Sequence, residues 1–90
     1  MELWVDDCKE APEGMAVART YDDAVRMCRQ FRYSKIYLDH DLGEAGDLRT
    51  GLRLLRQLRR EGICPPAMEC ISLNPVGRAN IEAEWRRVAE

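Results

Sequence analysis

The stretch Lys35-Ile36-Tyr37-Leu38-Asp39-His40-Asp41-Leu42-Gly43 decides how the rest of the chain is read. Ile36, Tyr37 and Leu38 are β-branched, aromatic and apolar in succession, the composition of a buried strand. Asp39, His40 and Asp41 follow at its exit, with the only histidine of the chain held between two carboxylates. Leu42 and Gly43 then turn the chain away. In open α/β sheets ligands bind beyond the carboxyl ends of the strands, so a polar cluster there is placed for chemistry. The same residues also suit a plain turn, with aspartates satisfying backbone N–H groups and the histidine facing water. A second acidic pair, Asp6-Asp7, ends the apolar run Leu3-Trp4-Val5 and favours the first reading.

Toward the N-terminus, Cys8 to Gly14 reads as a loop containing Pro12, and Met15 to Ala18 as a short strand made weak by its alanines. Thr20 is an N-cap with Asp23 three residues on, and Asp22 adds favourable charge to the helix start. Tyr21, Ala24, Val25, Cys28 and Phe31 recur at helical spacing and predict one buried face. Arg26, Arg29 and Gln30 lie on the wet side. Toward the C-terminus, Glu44 to Arg49 is a polar loop able to lie over the strand ends. Thr50 caps a helix whose stripe is Leu52, Leu55 and Leu58, flanked by Leu54. Gly62 stops it, and Pro65-Pro66 prevent continuation. Met68 to Leu73 reads as a further strand. Asn74 then caps, and Pro75 begins, a last helix burying Ile81, Trp85 and Val88. Gly77 lets its first turn pack closely or admit a ligand.

Strands alternating with helices imply a mostly parallel sheet. The first two strands are joined by a short loop, and a parallel crossover normally takes about a dozen residues, so their mutual direction stays open. Ninety residues make one domain, 1–90. A hydrophobic share of 46% beside 33% charged residues excludes a disordered chain. No apolar run reaches membrane length, and the N-terminus lacks the shape of a secretory signal, so a cytoplasmic location is expected. With a net charge of −2, sequence-specific DNA binding is not expected. Arg56, Arg59, Arg60, Arg86 and Arg87 read first as solvated helix faces, and second as a partner surface. The four cysteines form no C-x-x-C pair and no zinc spacing. Cys28 and Cys70 read as core residues, Cys8 and Cys64 as free thiols.

If the first and third strands are neighbours, Asp6, Asp7 and Asp39 converge at one sheet edge. Three carboxylates there repel unless a cation lies between them, and a hard divalent ion such as Mg²⁺ suits them. The competing reading neutralises them with Lys9 or Arg78. Ser72 and Asn74 reach the same edge from the fourth strand. Pro75 to Gly77 begin a helix whose free N–H groups favour an anion, with Arg78 in the same turn. Together with His40 this describes a phosphate site with a general acid or base.

The residues resemble response-regulator receiver domains, where an acidic pair after strand one and an aspartate after strand three hold Mg²⁺. They resemble the cyclic-phosphate processing receiver-like family more closely. Its pattern is matched by Val5-Asp6-Asp7, by Pro12 and Gly14, by Leu38-Asp39-His40-Asp41-Leu42-Gly43, by Thr50-Gly51 and by Ser72-Leu73-Asn74-Pro75-Val76-Gly77. The resemblance implies a shortened receiver or flavodoxin-like α/β fold. The sheet would be four-stranded with order 2-1-3-4 inside a small three-layer sandwich, with helices on both faces. It also implies action on cyclic phosphate groups of a small molecule or an RNA end, with His40, Asp39 and Asp41 catalytic. Asp6, Asp7 and Asp39 would bind metal, and Ser72, Asn74, Gly77 and Arg78 phosphate. Two departures stand out: Ile71 where the family has histidine, and Lys9 where it often has arginine. An ordinary phosphorylated receiver presents a lysine from a fifth strand, and neither Lys9 nor Lys35 is placed to substitute. Two functions follow, a cyclic phosphodiesterase-like hydrolase and a non-catalytic module that binds a protein or a nucleotide, of bacterial or phage origin.

Overall fold

A computed structural model describes residues 1–40, 42 and 50–88, with the Val88 side chain excepted. Asp41, Gly43 and the loop 44–49 lie outside the described residues. The elements are β1 (Glu2–Val5), β2 (Ala16–Ala18), α1 (Tyr21–Gln30), β3 (Lys35–Leu38), α2 (Gly51–Arg60), β4 (Met68–Cys70) and α3 (Pro75–Val88). The sheet has the order β2-β1-β3-β4, as the resemblance implies, and every pairing is parallel.

The β1–β2 pair, whose direction the sequence left open, is parallel without a crossover helix. The connecting loop is held at both ends instead. Asp6 N–H donates to Ala18 O at 3.2 Å, and Arg19 Nη1 donates to Asp6 O and Lys9 O. Gly14 supplies the left-handed turn before β2, with φ 87°.

The register sorts the sheet into two faces. Leu3 pairs with Ala16 and Ile36, and Val5 with Ala18 and Leu38, and these residues build the core. Trp4 pairs with Val17 and Tyr37 on the other face, where Trp4 and Tyr37 stay half-buried and Val17 exposed. Here the expected third layer is corrected. α1 packs on α2 and α2 on α3, so among the described residues all three helices lie in one layer. The reason is chirality. From β2 past β1 to β3, and on to β4, the chain advances in one direction, and right-handed crossovers then fall on the same face.

The helices start where expected. Thr20 Oγ1 accepts from Asp23 N–H, and Thr50 Oγ1 accepts from Arg53 N–H. Phe31 leaves the predicted stripe. It is extended at the C-cap of α1 and 61% exposed. In α2 the buried line runs through Gly51, Leu54, Leu55 and Leu58, with Leu52 half-buried, so the helix is rotated from the predicted stripe and Gly51 faces the sheet. β4 is shorter than the predicted Met68–Leu73 strand. After Cys70 the Ser72 hydroxyl accepts from Asn74 N–H at 3.1 Å, and the chain bends, leaving Leu73 87% exposed. Ile81 is buried and Trp85 half-buried, and the unforeseen buried residue of α3 is Glu84.

Candidate functional site at the strand ends

β1 and β3 lie side by side with Val5 opposite Leu38, so the residues that follow them emerge together. Asp39 N–H donates to Val5 O, and Ile71 N–H donates to Leu38 O, which brings the β4 exit to the same edge. Asp6 is fully buried and Asp39 is 8% exposed. Burial alone would raise the Asp6 pKa. Hydrogen bonds involving the Asp7 side chain, the Cys8 backbone and the Asp39 side chain, with the nearby Lys9 charge, outweigh burial and hold it below the usual value. Asp6 Oδ1 accepts from Cys8 N–H at 3.4 Å, and Oδ2 accepts from Lys9 N–H at 3.2 Å. The Asp7 side chain raises the Cys8 thiol pKa, chiefly through a hydrogen bond.

Asp6, Asp7 and the Cys8 sulfur present ligand atoms within 4.8 Å of one another. Asp39 joins this group through its contact with Asp6. The donor set fits a hard cation. Two buried carboxylates in contact need a proton or a positive charge between them, and Asp7 beside them is exposed.

Lys9 stands at the acidic edge, as the competing reading of the sequence has it, beside Asp39. The loop tie to Asp6 turns its side chain across the strand ends, where Nζ donates to Ile71 O at 2.8 Å and stands 3.9 Å from Asp39 Oδ2. The ammonium thus reaches the acidic edge from the β1–β2 loop, although no fifth strand is present among the described residues. Its spacing three residues after Asp6 was the available signal.

His40 is half-buried, and its position is fixed by two helix starts. Gly51 N–H donates to His40 O at 2.8 Å, and a Cβ at Gly51 would stand 2.2 Å from Asp39 O. A Cβ at Gly77 would stand 2.6 Å from His40 Cγ, so the first turn of α3 lies directly against the imidazole. This is the close packing expected of Gly77, and Gly51 does the same at α2.

The phosphate residues are arranged differently from the sequence reading. Ser72 is buried and spends its hydroxyl on Asn74 N–H. Asn74 Oδ1 accepts from Val76 N–H and Gly77 N–H, Arg78 N–H donates to Asn74 O, and Pro75 has no N–H. The start of α3 is therefore self-capped, and the N–H groups expected to be free are occupied. Arg78 Nε lies 3.5 Å from Glu82 Oε1, and the residue lines a groove with Met68, Cys70 and Trp85. Ile71 contributes its carbonyl to Lys9. Asp41 lies outside the described residues.

No curated protein and no solved structure matches the chain. A family does, that of the cyclic-phosphate processing receiver domain, and its match covers residues 1–87. That span runs from β1 through nearly all of α3 and takes in both strand exits, Lys9 and the two glycines that close on Asp39 and His40, so the chain belongs to the family of cyclic-phosphate processing receiver domains.

Proposed function

We propose that the strand-end site hydrolyses a cyclic phosphate diester to a monoester, with His40 moving the proton and Lys9 holding a phosphoryl oxygen. The observation that carries this reading is the Lys9 ammonium 3.9 Å from Asp39, one residue from the only histidine, in a member of this family. In the reaction a water oxygen attacks phosphorus, and one ring P–O bond breaks. The leaving ribose oxygen takes a proton, and the water gives one up. His40, set between the starts of α2 and α3, serves as the base toward water or the acid toward the leaving oxygen. Asp6, Asp7 and Asp39 are the residues that would hold Mg²⁺, which when bound supplies charge neutralisation to the phosphate. Lys9 supplies positive charge from the opposite loop, in place of the Arg78 contact and helix N–H groups. Ser72, Asn74 and Gly77 shape the wall through the capped turn. Asp41 remains a candidate second carboxylate beside His40.

The reading is tested by assaying hydrolysis of 2′,3′-cyclic and 3′,5′-cyclic nucleotides with and without Mg²⁺ or Mn²⁺. His40→Ala is expected to lower turnover about 10²–10⁴-fold, and Asp39→Asn to remove the metal response. Turnover that survives His40→Ala undiminished would exclude this assignment. One observation favours a second reading, a phosphate-binding module without turnover. Ile71 brings only a carbonyl to the site, so a second proton-transfer group is absent from that position. Binding of the cyclic nucleotide without any hydrolysis would select it.

A further inference from the structure

The outer surface where α2 meets α3 concentrates charge of the opposite sign. Two grooves share its residues. One, of 510 Å³, is lined by Arg56, Arg59, Arg60, Glu84 and Arg87. The other, of 260 Å³, shares Arg56, Glu84 and Arg87 and adds Leu52 and Asn80. Four guanidinium groups thus face one carboxylate, in a chain of net charge −2. Glu84 is 3% exposed, with Arg56 Nε at 2.9 Å from Oε1 and Arg59 Nη1 at 3.5 Å from Oε2. It holds Arg56 by a hydrogen bond and Arg59 by charge alone, and one carboxylate does not neutralise the groove. Among the described residues no carboxylate pairs with Arg60 or Arg87. A face that is merely solvated has no need of a buried carboxylate to aim its arginines.

The strip also has a direction. Leu52 follows Gly51, and Asn80 lies one turn beyond Gly77, and these two glycines are the contacts with Asp39 and His40. From Leu52 to Arg60 the helix runs about 12 Å at its ordinary rise. The basic strip therefore starts beside the site and leads away from it.

We propose that the α2–α3 groove carries the phosphate backbone of a single-stranded RNA whose 3′ end, closed as a 2′,3′-cyclic phosphate, enters the strand-end site. This rests on the reading of that site given above. The chemistry selects RNA, because a cyclic phosphate at a chain end needs the 2′-hydroxyl, which DNA lacks. A mononucleotide has no further phosphate for a second groove. Arginine forks match phosphate oxygens two at a time. An acidic peptide could lie along the arginines but brings no group for the site.

The test compares a uridine pentamer ending in a 2′,3′-cyclic phosphate with uridine 2′,3′-cyclic monophosphate, by calorimetry across a salt series. The variant is Arg60→Gln with Arg87→Gln, which leaves the Arg56–Glu84 pair intact. The pentamer is expected to bind more tightly than the monomer. In the variant its log–log salt slope should flatten by about 1.4, or roughly 0.7 for each lost phosphate contact, with monomer binding unchanged. Equal affinities for the two ligands, or an unchanged slope, overturn the proposal. So does displacement of the pentamer by poly-glutamate as readily as by unlabelled RNA, which would make the groove a protein surface. A protein that hydrolyses neither ligand, yet shows the arginine-dependent slope, removes the proposed reaction and supports the groove.

Discussion

Gly51 and Gly77 open neighbouring helices, and both exist to let a helix start touch the segment Asp39–His40. They differ in what they touch. A Cβ at Gly51 would meet the Asp39 carbonyl oxygen at 2.2 Å, with Ile81 Cδ1 at 3.1 Å behind it. A Cβ at Gly77 would meet the His40 side chain, Cγ at 2.6 Å and Cβ at 2.9 Å. The first contact is with backbone anchored in the parallel ladder. The second is with a side chain that can turn. One glycine therefore guards the fold and the other guards the position of the imidazole, and substitutions should separate the two.

Gly51→Ala has the largest expected effect. Neither the carbonyl of Asp39 nor the first turn of α2 can yield without loosening the Gly51 N–H to His40 O bond. Overpacking of this kind costs about 1–3 kcal/mol and occasionally more, and the upper end is expected because backbone meets side chain. In a domain of this size about 3 kcal/mol lowers the melting temperature by more than about 10 °C. Thermal unfolding followed by circular dichroism measures it. A variant as stable as the parent would mean that α2 can slide, and the contrast between the glycines would collapse.

Gly77→Ala should leave more of the fold and less of the activity. Rotation about χ1 carries His40 Cγ away, but His40 Cβ at 2.9 Å does not rotate, so the first turn of α3 must shift outward to restore ordinary contact. The better helix propensity of alanine, up to about 1 kcal/mol, offsets part of that cost. A displaced imidazole is another matter, since a misplacement of about 1 Å can cost 10²-fold in rate. The expected pattern is a melting temperature lowered by less than in Gly51→Ala and cyclic-nucleotide turnover reduced about 100-fold. Unchanged turnover would show that the imidazole position does not matter to the reaction.

How much of this arrangement the sequence revealed depended on how local the signal was. The strand-exit cluster Asp39-His40 and the caps Thr20, Thr50 and Asn74 are read from consecutive residues, and the structure has them in place. The self-capping of α3 was also readable. An asparagine assigned to the cap, followed by a proline, already accounts for the donors that the phosphate reading needed free. The layer arrangement was not read, because an amphipathic stripe says that a helix has a buried side but not which face of the sheet it covers. The strand order combined with crossover handedness supplies that missing step. Lys9 was legible as a counter-charge to the acids, but not as a group laid across the strand exits onto Ile71. Its contact with Ile71 O spans 62 positions and depends on how the loop is pinned to Asp6, which no periodicity encodes.

Lys9 sharpens the comparison from the loop side, since it holds Asp39 from across the mouth. Lys9→Met should cost about 1 kcal/mol, the scale of a partly exposed ion pair, and leave Asp6 and Asp39 without a nearby ammonium. A divalent cation should then matter more. Millimolar Mg²⁺ is expected to raise the melting temperature of Lys9→Met by more than that of the parent, because a ligand bound only by the folded state stabilises it. If Mg²⁺ moves neither protein, the acidic cluster is not a metal site.

The smallest effect is expected at the other end of α2, where Glu61 bridges to α1 with Arg29 Nε at 2.6 Å and Nη2 at 2.9 Å. These hydrogen bonds, first from Arg29 and then from Gln57, hold the Glu61 pKa down to about 2, against an ordinary 4.5. A carboxyl depressed on folding is protonated more readily in the unfolded chain, so stability rises with pH across the window between the two values. The contribution is fully present above about 4.5 and is lost as pH falls toward 2. Asp6, also depressed, pulls in the same direction. Glu61→Gln should remove part of the acid sensitivity between pH 4.5 and 2 and lower stability at pH 7 by that same part, which stays small because the pair is exposed and screened. The Gly51→Ala deficit is steric and should be the same at pH 3 and pH 7. A deficit that changes between pH 4.5 and pH 2, where the Glu61 contribution is lost, would show that the two ends of α2 are coupled and that the helix pivots on its glycine.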